Sequence, residues 1–206
     1  MLTRDFYLRN GNVVAPELLG KKLIHDSPEG ITEGIIVEVE SYIGPLDKDS
    51  HAFQNKRTPR TEVQFGMGGY AYIYTIYGLH SCFNVVTNHE NCPEVVLVRA
   101  LEPANGIELM KKRRKTQNLT ALCNGPGKLC QAMGITKHHY GYDLCNSTLR
   151  IESGLTISPS QILVSPRINI DYAEECTDFM WRYFLGNNKF VSQVPARYKT
   201  TYALYK

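Results

Sequence analysis

Apolar and polar side chains alternate with period two through much of the first half of the chain. This pattern predicts strands over residues 21–25 and 31–42, joined by turn chemistry at 27–30 and stopped by Gly44-Pro45. A second strongly alternating stretch predicts strands at 70–76 and 79–86, turning at Tyr77-Gly78, and another at 94–100. Helical spacing is confined to three short pieces. One covers 13–19, capped by Asn12 and ended by Gly20; another covers 104–114; the third covers 128–133 between the Asn124-Gly125-Pro126-Gly127 turn and Gly134. Weaker strand signals lie near 149–157 and 189–194.

Strands outnumber helices and do not alternate with them. That predicts the α+β class: a single mixed domain over residues 1–206 with a mostly antiparallel, curved β-sheet, peripheral helices and a protruding β-hairpin. Residues 46–69 interrupt the pattern with a polar, irregular stretch. Loops of that length inside a compact domain are usually functional or disordered.

Composition changes this picture little. The chain has 43% hydrophobic and 21% charged residues, which excludes wholesale disorder. A net charge of +3 supports a nucleic-acid partner only weakly. The run Lys111 to Lys115 reads either as cations at a helix C-terminus or as a phosphate-contacting patch. Six cysteines show neither a CxxC pair nor zinc-site spacing, and the chain opens without a signal-peptide core. Reduced thiols and a cytoplasmic location are expected. No apolar run reaches the roughly 20 residues of a membrane span.

Candidate chemistry sits on the alternating segments. In strand 31–42, Ile36, Glu38, Glu40 and Tyr42 share one face. A wet face is the simple reading, especially for Glu38, but the loop bearing His51 can fold back over Glu40. Tyr70, Tyr72 and Tyr74 form an aromatic row. Tyr77 breaks that parity at the hairpin tip, where an aromatic can act as a wedge in a duplex. Arg99 ends an apolar strand and needs a partner or a ligand if buried. Two other readings stay open at this point. The tyrosine row could be a stacking platform for single-stranded nucleic acid, and Asp47, Asp49, His51 and Glu40 could hold a metal for hydrolysis.

The ordered set of segments is more specific than any one of them. It comprises residues 39–45 (VESYIGP), 49–51 (DSH), 57–60 (RTPR), 71–78 (AYIYTIYG), 98–103 (VRALEP) and 125–133 (GPGKLCQAM). In this order the chain resembles the alkyladenine (3-methyladenine) DNA glycosylase family, from about residue 5 to 195 and most strongly from 38 to 134. The resemblance implies a base-excision repair hydrolase with no metal and no organic cofactor, working from the minor groove of damaged double-stranded DNA. It flips alkylated or deaminated purines (3-methyladenine, 7-methylguanine, hypoxanthine, ethenoadenine) and hydrolyses the N-glycosidic bond, leaving an abasic site. No lysine in these motifs is placed as a Schiff-base nucleophile, so a monofunctional enzyme is expected, and a monomer, because a duplex-binding surface needs no second copy.

By the same resemblance, Glu40 activates water and Arg99 helps to position it. Tyr42, His51 and Tyr74 hold the extruded base, Asn84 discourages normal guanine, and Ile170 lines the pocket. Tyr77 fills the gap in the duplex, and Arg57, Arg60 and Lys128 contact the DNA backbone. Relatives often read Arg-Ile-Gly-Ile where this chain has Arg167-Ile168-Asn169-Ile170, a departure at the pocket floor.

Overall fold

Among the described residues, eight antiparallel strands form a single open sheet around one long central strand. The computed structural model describes residues 1–168 and 178–199. The strands are β1 (Lys22–Ser27), β2 (Gly30–Ile43), β3 (Ala71–Ile76), β4 (His80–Thr87), β5 (Glu94–Asn105), β6 (Leu149–Glu152), β7 (Ile162–Ser165) and β8 (Arg182–Leu185). They run in the order β3-β4-β5-β2-β1-β6, while β8 pairs with both β2 and β7. One edge of β2 carries β5. The other carries β1 along its first half and β8 at Glu38 to Glu40. The expected α+β class and its antiparallel sheet are therefore present.

Two of the three register shifts in the β2–β5 ladder set the faces. The register passes from Ile36↔Leu101 to Glu38↔Ala100, then to Val39↔Val98. Val37 is thus an extra residue in β2, and Arg99 an extra residue in β5. Such bulges bend the strand and re-aim side chains. Here they let Ile36, Val37 and Val39 all enter the core, so the strict alternation expected from sequence does not hold through Val37. Glu38 is fully buried rather than on a wet face. Its two arginine partners, described below, make that burial tolerable.

The helices are α1 (Arg4–Tyr7), α2 (Gly11–Leu18), α3 (Ile107–Arg114) and α4 (Pro126–Met133). Helix α2 begins two residues before the expected start. Asn10, not Asn12, is its cap, accepting from the Asn12 amide at 3.0 Å, and the Glu94 carboxylate accepts from Gly11 N at 2.7 Å. Helix α4 opens with a proline in its first turn and ends at Gly134, whose φ of 72° is easy for glycine. It packs on β4 and α3, while α2 packs on β2. Residues 104–105, expected to open a helix, still belong to β5. Residues 189–194, expected to be a strand, form turn and coil. No helix among the described residues is long and apolar enough to cross a membrane.

The basic run is partly committed to the fold. Arg113 bonds Glu29, Ser27 Oγ and the Ala132 carbonyl, and Arg114 bonds Gln131 and the Leu122 carbonyl.

Candidate active site

Strand register brings the candidate residues together. Tyr72 pairs with Asn84 across β3 and β4, Asn84 with Leu97 across β4 and β5, and Leu97 with Glu40 across β5 and β2. Directly paired residues share a face, so these four form one row across the sheet. Tyr42 pairs with Val95 in the neighbouring row. A cavity of about 280 Å³ stands on this face, closed from the other side by the 46–69 loop through Asp49, His51 and Gln64, with Ile168 and Pro126 at its margin.

Glu40 lies beneath that floor, fully buried. Its Oε2 accepts from the Tyr42 hydroxyl at 2.9 Å and from Arg99 Nη1 at 3.0 Å, and its Oε1 accepts from Ile168 N at 2.8 Å. All three donor residues line the cavity. Arg99 also donates from Nε to Glu38 Oε1 at 3.1 Å. Glu38 in turn accepts from Arg182 Nε at 2.8 Å and from Ser192 N and Oγ at 2.7 and 2.8 Å. Two arginines and two glutamates thus form a charge-balanced chain, the condition under which buried charges are tolerated. Burial opposes the charge on Arg99, but the adjoining Glu40 and Glu38 carboxylates outweigh it and raise its pKa. Burial, reinforced by Glu40, pushes the Tyr42 hydroxyl well above the usual phenol range.

The loop is fixed from beneath by Asp47, whose carboxylate takes a two-pronged bond from the buried Arg167 guanidinium. That guanidinium also lies 4.6 Å from the centre of the Tyr42 ring. His51 Nδ1 sits 2.8 Å from the Tyr72 hydroxyl, and its Nε2 lies 3.1 Å from Arg60 Nη2. A guanidinium only donates, so Nε2 is the acceptor and Nδ1 carries the hydrogen that His51 donates to Tyr72. Burial, then the charges of Arg60 and Lys56, lower the His51 pKa to about 4. The ring is therefore neutral at pH 7. It meets Tyr74 edge-on at 4.7 Å, while Arg60 lies 5.2 Å from the Tyr74 ring centre.

Tyr77 stands at the tip of the β3–β4 hairpin with φ of 53° and 90% exposure, next to Gly78 at φ 69° and the similarly prominent Leu79. Ile76, one residue before it, lines the cavity. Asn84 donates from Nδ2 to the Tyr72 carbonyl at 3.1 Å, which fixes its amide within the cavity wall.

Glu40, Tyr42, His51, Tyr74, Asn84 and Arg99 are thus assembled at one place. Arg57 and Lys128 lie outside it. Arg57 is exposed and paired with Glu62, and Lys128 bonds Asn124. Arg60 is at the rim, engaged by His51. Ile170 lies outside the described residues. Tyr72 is almost fully buried, so the row of tyrosines is not an open stacking platform. The acidic loop does not assemble as a metal site either: Asp47 is committed to Arg167, and among the described residues no three metal-binding side chains converge. Sequence reasoning missed Gln64, Tyr72, Ile168, Glu38 and Arg182 as parts of the site. The parity that Tyr72 shares with Tyr74 is a signal for that tyrosine; no local pattern points to Arg182.

Comparison with known proteins adds an independent line. Residues 5–189 match the family model for methylpurine-DNA glycosylase. A protein of Clostridium acetobutylicum named "Putative 3-methyladenine DNA glycosylase" is 48% identical over 199 residues, covering 93% of this chain and 97% of that protein. Proteins of the same name from Alkaliphilus oremlandii and Bacillus mycoides are 46% and 48% identical, over 93% and 92% of this chain and 98% of each relative.

Proposed function

The chain belongs to the methylpurine-DNA glycosylase family, and from that premise we propose that it is a DNA repair enzyme that extrudes alkylated purines from duplex DNA and hydrolyses their N-glycosidic bond. The observation that carries this reading is the placement of Glu40. A buried carboxylate held by Tyr42, Arg99 and Ile168 lies directly under an aromatic cavity, next to a hairpin that projects an exposed tyrosine.

The target bond is inaccessible within the stack, so the nucleotide must be flipped. Tyr77 takes the vacated place from the minor-groove side. The extruded base enters between Tyr42 and Tyr74, against His51, with Asn84 crowding the exocyclic amino group of normal guanine. An N-alkylated purine carries positive charge and gains about 0.5–2 kcal/mol from an aromatic face. Arg167 and Arg60 already face the Tyr42 and Tyr74 rings, which puts this gain at the lower end.

An ionised carboxylate has about four acceptor positions. Glu40 uses two on Oε2 and one on Oε1, which leaves one on Oε1 for a water. As the C1′–N9 bond breaks, its electron pair leaves with the cationic base and neutralises it. Glu40 stabilises the oxocarbenium character on the sugar and takes a proton from the water that attacks C1′. No lysine is among the described residues that line the cavity, which supports a monofunctional enzyme that leaves the strand intact. One chain supplies every group in this scheme, which is consistent with action as a monomer.

The test is incubation with duplex DNA pretreated with a methylating agent. Free methylated purines and abasic sites that nick only on alkali treatment are expected. Absence of free base would overturn the proposal.

A further inference from the structure

Gln64 is a polar side chain of the cavity wall that the mechanism leaves without a task. It is 1% exposed, lines the cavity, and neither its Nε2 nor its Oε1 has a partner in hydrogen-bonding geometry. A buried amide with both ends unpaired is costly and rare in native proteins, and calls for a partner. The neighbouring Tyr72 hydroxyl is pushed up to about 12 by burial, against a smaller opposing pull from Arg60 and Gln64. That hydroxyl accepts from His51 Nδ1, and neither polar atom of Gln64 meets it in hydrogen-bonding geometry.

The backbone around Gln64 is held on several sides. Its own N–H donates to Thr61 O at 2.9 Å, Val63 N donates to the Tyr140 hydroxyl at 3.0 Å, and Asn91 N donates to Phe65 O at 2.9 Å. The amide is thus presented from a fixed turn, which is the condition for selective recognition.

Resting on the glycosylase reading of this cavity, we infer that Gln64 recognises the extruded base through a paired contact. Its Oε1 accepts from the 6-amino group of an adenine-derived lesion, and its Nε2 donates to the adjacent ring nitrogen N7. A glutamine amide matches this donor–acceptor pair on adenine. In 7-methylguanine, position 6 is a carbonyl and N7 is blocked by the methyl group, so that edge offers one acceptor and no donor and leaves Gln64 Oε1 unpaired. Gln64 therefore biases the site toward 3-methyladenine.

Methylated genomic DNA contains both lesions, and both free bases can be quantified by chromatography from a single reaction. The ratio of their initial release rates does not depend on how much of a preparation is folded. Gln64→Met keeps length and removes both polar atoms; Gln64→Glu keeps the shape and the acceptor and removes the donor. Each variant should lower the 3-methyladenine to 7-methylguanine ratio by roughly tenfold relative to the unmodified protein. An unchanged ratio in both variants, with base still released, would overturn this inference alone. Failure of the unmodified protein to release either base would overturn the glycosylase reading instead.

Discussion

Arg99 Nη1 lies 3.0 Å from Glu40 Oε2, while the Nε of the same guanidinium lies 3.1 Å from Glu38 Oε1. One cation thus holds two buried carboxylates, and only one of them adjoins the cavity's aromatic rings. The consequence for Glu40 is that its orientation is fixed before any substrate arrives. Glu40→Gln preserves the shape and can still accept from Ile168 N, but it cannot take a proton from water. Single-turnover excision by this variant should fall by roughly 10²–10⁴, with binding to lesion-bearing duplex retained. Excision near the unmodified rate would exclude Glu40 as the base.

Arg99→Met removes the shared cation. Glu38 keeps Arg182 and Ser192, but Glu40 loses the guanidinium that balances its charge. Breaking a buried ion pair by removing one member costs about 3–5 kcal/mol, and the remaining partner of Glu38 places this case at the lower end. Urea unfolding at pH 7 measures it. Without Arg99, Glu40 is held by Tyr42 and Ile168 alone, so single-turnover excision by folded Arg99→Met should also fall. Arg99→Lys retains the charge but not the fork that reaches both glutamates, and should fall between the two. Excision by folded Arg99→Met at the unmodified rate would show that Arg99 acts on stability alone.

How much of this site is legible in the sequence follows from how local each cause is. Glu40, Tyr42, Tyr74 and Tyr77 lie on segments whose period-two pattern is strong, and the odd parity of Tyr77 marks a turn on its own. The face of Glu38 is not legible, because two bulges, at Val37 and Arg99, interrupt the ladder, and a bulge leaves no signature in hydropathy. Strands β7 and β8 are four residues each. All four residues of β7 are buried, so its burial pattern has no alternation to detect. Arg182, on β8, enters the site only because β8 pairs with β2. Its bond to Glu38 spans 144 positions of chain, which no window of sequence contains. Gln64 escapes a sequence reading for a different reason: its significance is the absence of a partner, which exists only once the surrounding atoms are placed.

Tyr77 and Gly78 both have positive φ, the geometry of a type I′ turn that favours Asn-Gly. A tyrosine in the left-handed region costs about 1–2 kcal/mol, and with 90% exposure it recovers little through packing. Backbone strain of this kind tends to persist where function maintains it. Tyr77→Gly should therefore leave thermal stability unchanged or slightly higher, once the greater freedom of glycine in the unfolded chain is set against the relieved strain. The same variant should bind duplex bearing an abasic analogue more weakly, with a smaller effect on intact duplex. Equal weakening on both DNAs would count against insertion into the gap.

His51 offers a test by pH whose sign is fixed by its surroundings. Burial and the neighbouring Arg60 and Lys56 hold its folded pKa near 4, against about 6.5 in the unfolded chain. Between these values the unfolded state binds the proton and the folded state does not, so stability falls as pH drops from 6.5 towards 4. His25 and His139 are also shifted downward by burial and contribute with the same sign, so acid sensitivity of the whole protein does not isolate His51. The difference between two proteins does. His51→Gln offers an acceptor to Arg60 and a donor to Tyr72 without a titrating group. At pH 7.5 the variant should be no more stable than the unmodified protein. At pH 4.5 its relative stability should improve by on the order of 2 kcal/mol, as read from urea midpoints at the two pH values. A stability difference that stays constant with pH would mean that the fold does not hold the His51 pKa below its value in the unfolded chain.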